Sequence, residues 1–242
     1  QVRRSVYWIC GCMAAGTTLS VVAVNYTTAI NATVINGTQP ATTALVALLF
    51  VRERLSLVQT LGILSAFLGI IIMISQASLD VLFQMDINIG DLVMLGAVIC
   101  WSLYSVELHR ATHLPSPEIL LFLIACTGVV FGLPLYLAEE LYIRSFQWTA
   151  VTLSAVGYLG IGSTVLAVYL WNAAIRSVGA NRAAIFLNLI PVFGACFAIF
   201  FLGERLFGYH VVGGCLVIGG IICAVQRPNT RIISSLEPDE KS

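Results

Sequence analysis

The sequence predicts an all-α, polytopic transmembrane helix bundle. Three features predict it: a composition too apolar for a soluble surface, eight apolar runs of membrane-spanning length, and charges gathered in the breaks between those runs. Of 242 residues, 59% are hydrophobic and 10% charged, and the mean hydropathy is +0.94. A soluble domain carries about 25% charged residues, so a soluble domain is excluded. A disordered chain is excluded too, because disorder needs low hydrophobicity. Twelve Lys and Arg balance twelve Asp and Glu. No net basic charge is left to attract nucleic acid, and the expected surroundings are the lipid bilayer.

Crossing the hydrocarbon takes about 20 apolar residues in a helix. Eight runs qualify, at 5–25, 29–50, 57–76, 92–108, 118–138, 151–175, 183–202 and 207–225. They are continuous, whereas barrel strands alternate polar and apolar residues over about ten positions. The first span follows Arg3 and Arg4. The second carries Pro40 and is closed by Arg52, Glu53 and Arg54. Ser56 and Gln59 form a capping-box pattern that opens the third span. Asp80 to Asp91 separates the third span from the fourth. Ser116, Pro117 and Glu118 open the fifth as N-cap, helix-start proline and an acid on the helix dipole. Glu139 to Trp148 separates the fifth from the sixth. Gly203, Glu204 and Arg205 separate the seventh, which carries Pro191, from the eighth.

Alternate threading from Arg3 puts Arg3, Arg4, Arg52, Arg54, Arg110, Arg176, Arg182, Arg227, Arg231 and Lys241 on one side. Arg144 and Arg205 fall on the other. Lys and Arg concentrate on the cytoplasmic side of membrane proteins, so both termini are expected there, in a protein of the cell membrane. Gln1 is not Met, and no small-residue cleavage site follows Arg3 and Arg4. The chain is therefore expected to begin inside a longer protein. All seven cysteines lie in apolar runs, where Cys acts as a small hydrophobe. Gly157, Gly160 and Gly162 lie within a span with no strand before them, so no nucleotide loop is read. No cofactor, metal or disulfide is expected. The sequons at Asn25, Asn31 and Asn36 fall in a tight turn or inside a span, so none is read as modified.

A shift of 151 residues superimposes the chain on itself without a gap. Ala29, Ala32, Pro40, Ala44, Phe50, Glu53, Arg54, Gly62 and Gly69 fall on Ala180, Ala183, Pro191, Ala195, Phe201, Glu204, Arg205, Gly213 and Gly220. Spans one to three thus repeat as six to eight. One repeat is five helices, and the first copy lacks two. Five is odd, so the copies are expected to cross in opposite senses. Inverted repeats are a secondary-transporter architecture with the site at the repeat interface.

The Pro40…Glu53-Arg54-Leu55 stretch with Gly62 and Gly69 carries a resemblance. So do Tyr169, Trp171, Asn172 and Arg176, Gly179 to Arg182, and Pro191…Glu204-Arg205-Leu206. With these the sequence resembles the EamA-type transporters of the drug/metabolite transporter superfamily over about 220 residues. The resemblance implies two five-helix repeats with cytoplasmic termini, and export of a small organic metabolite. The implied organisation is a truncated first repeat over 1–76, an extracytoplasmic loop over 77–91, a second repeat over 92–226 and a disordered cytoplasmic tail over 227–242.

The candidate solute-binding residues are Asn36, Gln39, Pro40, Trp101, Tyr104, Tyr169, Asn172, Asn188 and Pro191. Thr28, Ala32, Asn36, Gln39 and Thr43 share one helix face. A polar stripe in lipid faces a cavity or another helix. Pro40 favours the cavity, because proline frees a backbone carbonyl. Asn188 and Pro191 repeat that pattern, with helix-to-helix hydrogen bonding as the alternative. Tyr169 and Asn172 suit an amphiphilic ligand. Trp101 and Tyr104 line one surface or belong to an interfacial belt. Glu107 is a candidate for proton coupling, although Arg110 nearby favours an interfacial ion pair. The Gly128/Gly132 and Gly62/Ala66 pairs are read as close helix packing, with homodimerisation as the alternative.

These residues lead to the expectation of a secondary transporter working by alternating access, not an enzyme. The alternatives are a non-transporting membrane protein and an intramembrane enzyme using Ser163. The latter lacks a His within a span's core to activate the serine.

Overall fold

The computed structural model describes residues 2–53, 55–78, 80–81, 88–142, 148–202 and 205–225. Among the expectations above, those on Arg54, Arg144, Gly203, Glu204, 226–242 and positions 79 and 82–87 of the expected loop lie outside the described residues. All regular structure among the described residues is helical. Eight helical stretches are long and apolar enough to cross a membrane. The chain is an all-α integral membrane protein.

The elements are α1 (Val2–Ala23), α2 (Ala29–Gly37), α3 (Gln39–Val51), α4 (Leu57–Ile74), α5 (Ile89–Arg110), α6 (Pro117–Tyr142), α7 (Ala150–Tyr158), α8 (Ala167–Val178), α9 (Ala180–Ile185), α10 (Ile190–Leu202) and α11 (Gly208–Val225). A π-helical stretch, Leu159–Leu166, joins α7 to α8, and a 3-10 turn, Phe186–Leu189, joins α9 to α10. Ser163 lies in the π-helical stretch; its side chain lies outside the description.

Local chemistry sets the helix starts. Ser56 and Gln59 cap α4 reciprocally, as the sequence predicts. Asn88 and Asp91 do the same for α5. That box starts α5 at Ile89, three residues inside the expected 77–91 loop. Pro117 opens α6 with Glu118 in the first turn.

The second and seventh spans, each read as one apolar run carrying a proline, are interrupted helices. The second breaks at Thr38 and restarts at Gln39, with Pro40 in the first turn of α3. Proline has no N–H to bond the carbonyl four residues back, which here belongs to Asn36. The seventh span loosens into its 3-10 turn and restarts at Ile190, with Pro191 next. Ala29 and Ala180 start the two spans and Gln39 and Ile190 restart them, each pair 151 residues apart.

The tightest helix pair is α4 with α11. A Cβ built on Gly62 would sit 2.5 Å from the Gly220 carbonyl oxygen, and one on Gly69 2.5 Å from that of Gly213. The rising order on α4 meets the falling order on α11, so the pair is antiparallel. Small residues allow this approach. Ser65 Oγ adds a 3.2 Å hydrogen bond to the Leu216 carbonyl. Gly128 and Gly132 behave otherwise. Nothing among the described residues lies within 4 Å of a Cβ on either, so the close packing expected for them is not seen there. They sit on α6, whose outward face is apolar. In lipid such a face needs no protein cover.

The main core cluster joins α1, α3, α5, α6, α8 and α9 through Ile9, Met13, Ala47, Tyr104, Leu108, Leu120, Ile175 and Ala183. Gly179, at φ 91°, makes the turn from α8 to α9. The His109 ring lies 3.4 Å from where its Cβ would be. Only glycine meets both demands comfortably.

Candidate functional site

A cavity of about 430 Å³ opens between the two broken spans. The second span contributes Thr33, Asn36, Gly37 and Gln39, and the seventh contributes Leu187, Ile190 and Pro191. Trp101 of α5 and Ala167, Val168 and Trp171 of α8 close the sides, with Ile70 of α4. Asn36 and Leu187 are 151 residues apart, as are Gln39 and Ile190. Equivalent positions of the two spans therefore face one space, one pair member polar and the other apolar. The wall is amphiphilic: amides and a hydroxyl on one side, aliphatic groups on the other, indoles at two edges.

Of the nine residues expected to bind solute, Asn36, Gln39, Trp101 and Pro191 line this cavity. The other five do not. Pro40 is buried in the first turn of α3. Tyr169 is half-buried on α8, off the cavity wall. Tyr104 and Asn172 are 0% and 1% exposed. They meet each other instead: Tyr104 Oη donates to Asn172 Oδ1. Helical spacing put both on faces pointing inward, but it could not say that the two faces meet. The Trp101 ring stands edge-on to Tyr104, with centroids 5.7 Å apart. Asn188 is 1% exposed in the 3-10 turn. Neither of its amide atoms has a hydrogen-bond partner among the described residues.

Trp171 is a wall residue that sequence reasoning missed, and its buried indole N–H is also unpartnered. Its signal was present: a tryptophan one turn after Val168 and next to Asn172. Thr43, the last of the polar stripe, lies below the cavity and donates to Ser102 Oγ at 3.1 Å. The stripe thus divides, with Asn36 and Gln39 on the cavity and Thr43 bonded to the next helix.

Glu107 lies elsewhere. Its carboxylate pairs with Arg110 at 2.6 Å and accepts a 2.6 Å hydrogen bond from Ser5 Oγ. Both residues line a second cavity of about 650 Å³, which also includes Arg4, Trp8, Cys12, Val46 and Phe50. The ion pair is thus formed. A carboxylate that the sequence reading did not single out is more buried. Asp91 is 7% exposed, accepting from Thr27 Oγ1, Asn31 Nδ2 at 2.9 Å and the Asn88 backbone N–H at 3.0 Å. It ties the α1–α2 turn to the start of α5.

The fold and the site define a polytopic helical membrane protein with an amphiphilic cavity between two broken spans. The EamA-like transporter family model matches residues 4–75 and 88–226, and the chain belongs to that family. It is 28% identical to the uncharacterized transporter YyaM of Bacillus subtilis (strain 168), over 84% of this chain and 66% of that protein. It is 28% identical to a Salmonella typhimurium (strain LT2) protein named "Probable amino-acid metabolite efflux pump", over 74% of this chain and 61% of that one. The chain spans about two thirds of the length of the curated relatives it matches. A solved structure titled "Crystal structure of protein" aligns with a TM-score of 0.74 at 19% identity, covering 90% of this chain and 74% of that chain. At that identity the likeness speaks for the fold alone.

Proposed function

We propose that the chain forms the core of a secondary transporter that moves a small amphiphilic organic solute across the cell membrane by alternating access. The observation that carries the reading is the cavity between the broken spans, where positions 151 residues apart face one space. Asn36 and Gln39 offer hydrogen bonds, and Trp101, Trp171, Leu187 and Ile190 offer apolar contact. Asn188 and Pro191 shape the seventh span beside them. A solute that leaves and re-enters water needs such a mixed wall, apolar enough to hold it and polar enough to orient it.

The two repeats are inverted in this reading, with both termini in the cytoplasm. The antiparallel α4–α11 pair supports it. Gly62 and Gly69 meet the counterparts of each other, and Ser65 meets its own counterpart, Leu216. Reciprocal contact of this kind is what a two-fold axis in the membrane plane produces. Similar halves related that way can exchange conformations, opening the site to each side in turn.

The test is flux of candidate solutes, amino-acid-like metabolites among them, into proteoliposomes holding the full-length gene product. Flux that saturates and falls at least tenfold in Gln39→Ala is the expected result. Absence of flux for every solute, with or without an imposed gradient, overturns the proposal.

A further inference from the structure

The two cavities lie one above the other along the same helices. On α5, Trp101 lines the first and Glu107 the second. Along α5, Trp101 and Glu107 lie six residues, about 9 Å, apart, and Leu103, two residues past Trp101, also lines the second cavity. On α3, Gln39 lines the first cavity, and Val46 and Phe50 the second. Between Trp101 and Glu107 on α5 lie two buried side chains, each hydrogen-bonded to a neighbouring helix. Thr43 and Ser102 are both 0% exposed and bonded to each other. Tyr104 and Asn172, equally buried, are bonded likewise. These two hydrogen bonds join α3 to α5 and α5 to α8 in one layer. Met13, Ala47 and Ile175 belong to the same buried cluster as Tyr104.

We propose that the second cavity is an inner vestibule of the same solute route, and that Tyr104–Asn172 and Thr43–Ser102 form the closed gate between vestibule and solute site. This rests on the transport reading above and assigns Tyr104 and Asn172 a different role from solute binding. The gate is suited to opening. Each bond joins side chains of different helices, so helix separation breaks it without breaking any backbone hydrogen bond. The freed groups are a phenol, an amide and two hydroxyls, which a passing polar solute or water can satisfy. Asn172 Nδ2 is already without a partner among the described residues. The vestibule mouth carries Arg4 and Arg110, on the side the charge bias assigns to the cytoplasm.

Thiol accessibility tests this without knowledge of the solute. Cys12 lines the vestibule and is kept, the other six cysteines being replaced. Asn36→Cys reports from the first cavity. A membrane-impermeant methanethiosulfonate is applied to sealed vesicles of either orientation. We expect it to modify Cys12 from the Arg4 side and Asn36→Cys from the opposite side. Tyr104→Phe, which keeps the ring and deletes the hydroxyl, should raise modification of Asn36→Cys from the Arg4 side at least tenfold. Ser102→Ala, a smaller change, should act in the same direction. Unchanged rates in both variants overturn the proposal. Opening of the gate without solute flux would overturn the transport reading alone. Flux with unchanged accessibility would overturn the gate alone.

Discussion

Gly62 and Gly220 stand back to back. A Cβ built on either would lie 2.5 Å from the carbonyl oxygen of the other. No rotamer relieves such a clash, because the obstructing atoms are backbone. The substitution Gly220→Val should therefore push α4 and α11 apart at a cost of about 1–3 kcal/mol, the usual range for overpacking. The measurement is unfolding in mixed micelles. Gly128→Ala is the control. Nothing lies near its Cβ, and alanine is the better helix former by roughly 1 kcal/mol. Equal losses in the two variants would contradict the packing described.

Asp91 is predicted to anchor the α1–α2 turn. Asp91→Ala takes the acceptor from Thr27 and one acceptor from Asn31, whose side chains donate to it, and removes the α5 capping box. A loss of about 2–4 kcal/mol is expected, combining hydrogen bonds to a charged group with a lost cap. Thr27→Val, which removes one donor, should cost less than half as much. Thermal unfolding of the purified protein decides it, and equal stability of Asp91→Ala and the parent would refute the anchor.

Asn188 is predicted to oppose stability and serve function. Its amide is buried without partners among the described residues, a situation that costs about 1–3 kcal/mol. Leucine is close to it in shape and brings no polar atom. Asn188→Leu should raise the melting temperature while lowering solute flux. A variant that melts lower, with flux intact, would show that the amide has an ordinary structural role.

Glu107 pairs with Arg110 one turn away, on a partly exposed surface. Such pairs contribute under about 1 kcal/mol. Glu107→Gln should leave stability nearly unchanged and keep gradient-driven flux. Loss of the response to a proton gradient, with downhill flux retained, would instead identify Glu107 as the coupling group.

Trp171 lines the cavity, and its buried indole N–H has no partner among the described residues; closure of the site around the solute is predicted to bring that N–H and the solute into contact. Trp171→Phe preserves an aromatic wall and removes that donor. A rise of the half-saturating solute concentration of about threefold to tenfold is expected, the worth of one hydrogen bond. An unchanged value would place the solute against the ring alone.

Much of the architecture was legible because membrane spanning is a property of local composition. A bilayer satisfies no backbone group, so long apolar runs must be helices. Capping boxes are local as well: Ser56 and Gln59 announced α4. The interruptions were half legible. Pro40 and Pro191 marked the second and seventh spans, but proline position alone does not say which carbonyls are left over or which way they face. The 3-10 turn before Pro191 and the π-helical stretch before α8 had no single-residue signature beyond a run of glycines.

Asn36, Gln39, Trp101 and Pro191, which the sequence singled out, line the first cavity; helical periodicity and the repeat report only the face of one helix. Tyr104 and Asn172, also singled out, do not line it, and Trp171, which does, was not singled out for binding. Which face meets which depends on the rotation and depth of each helix against its neighbours. Those are fixed by close approaches such as Gly62 with Gly220 and Gly179 with His109.

By itself, the sequence determined that this chain lies in a membrane as apolar helices, with a duplicated pattern 151 residues apart. Only the tertiary structure decided that Tyr104 spends its hydroxyl on Asn172, that Glu107 opens on a separate cavity, and that Trp171 faces the space between the broken spans. Composition and period are fixed along one chain direction. A cavity is made by atoms far apart in sequence, and its shape follows from how closely backbones can approach.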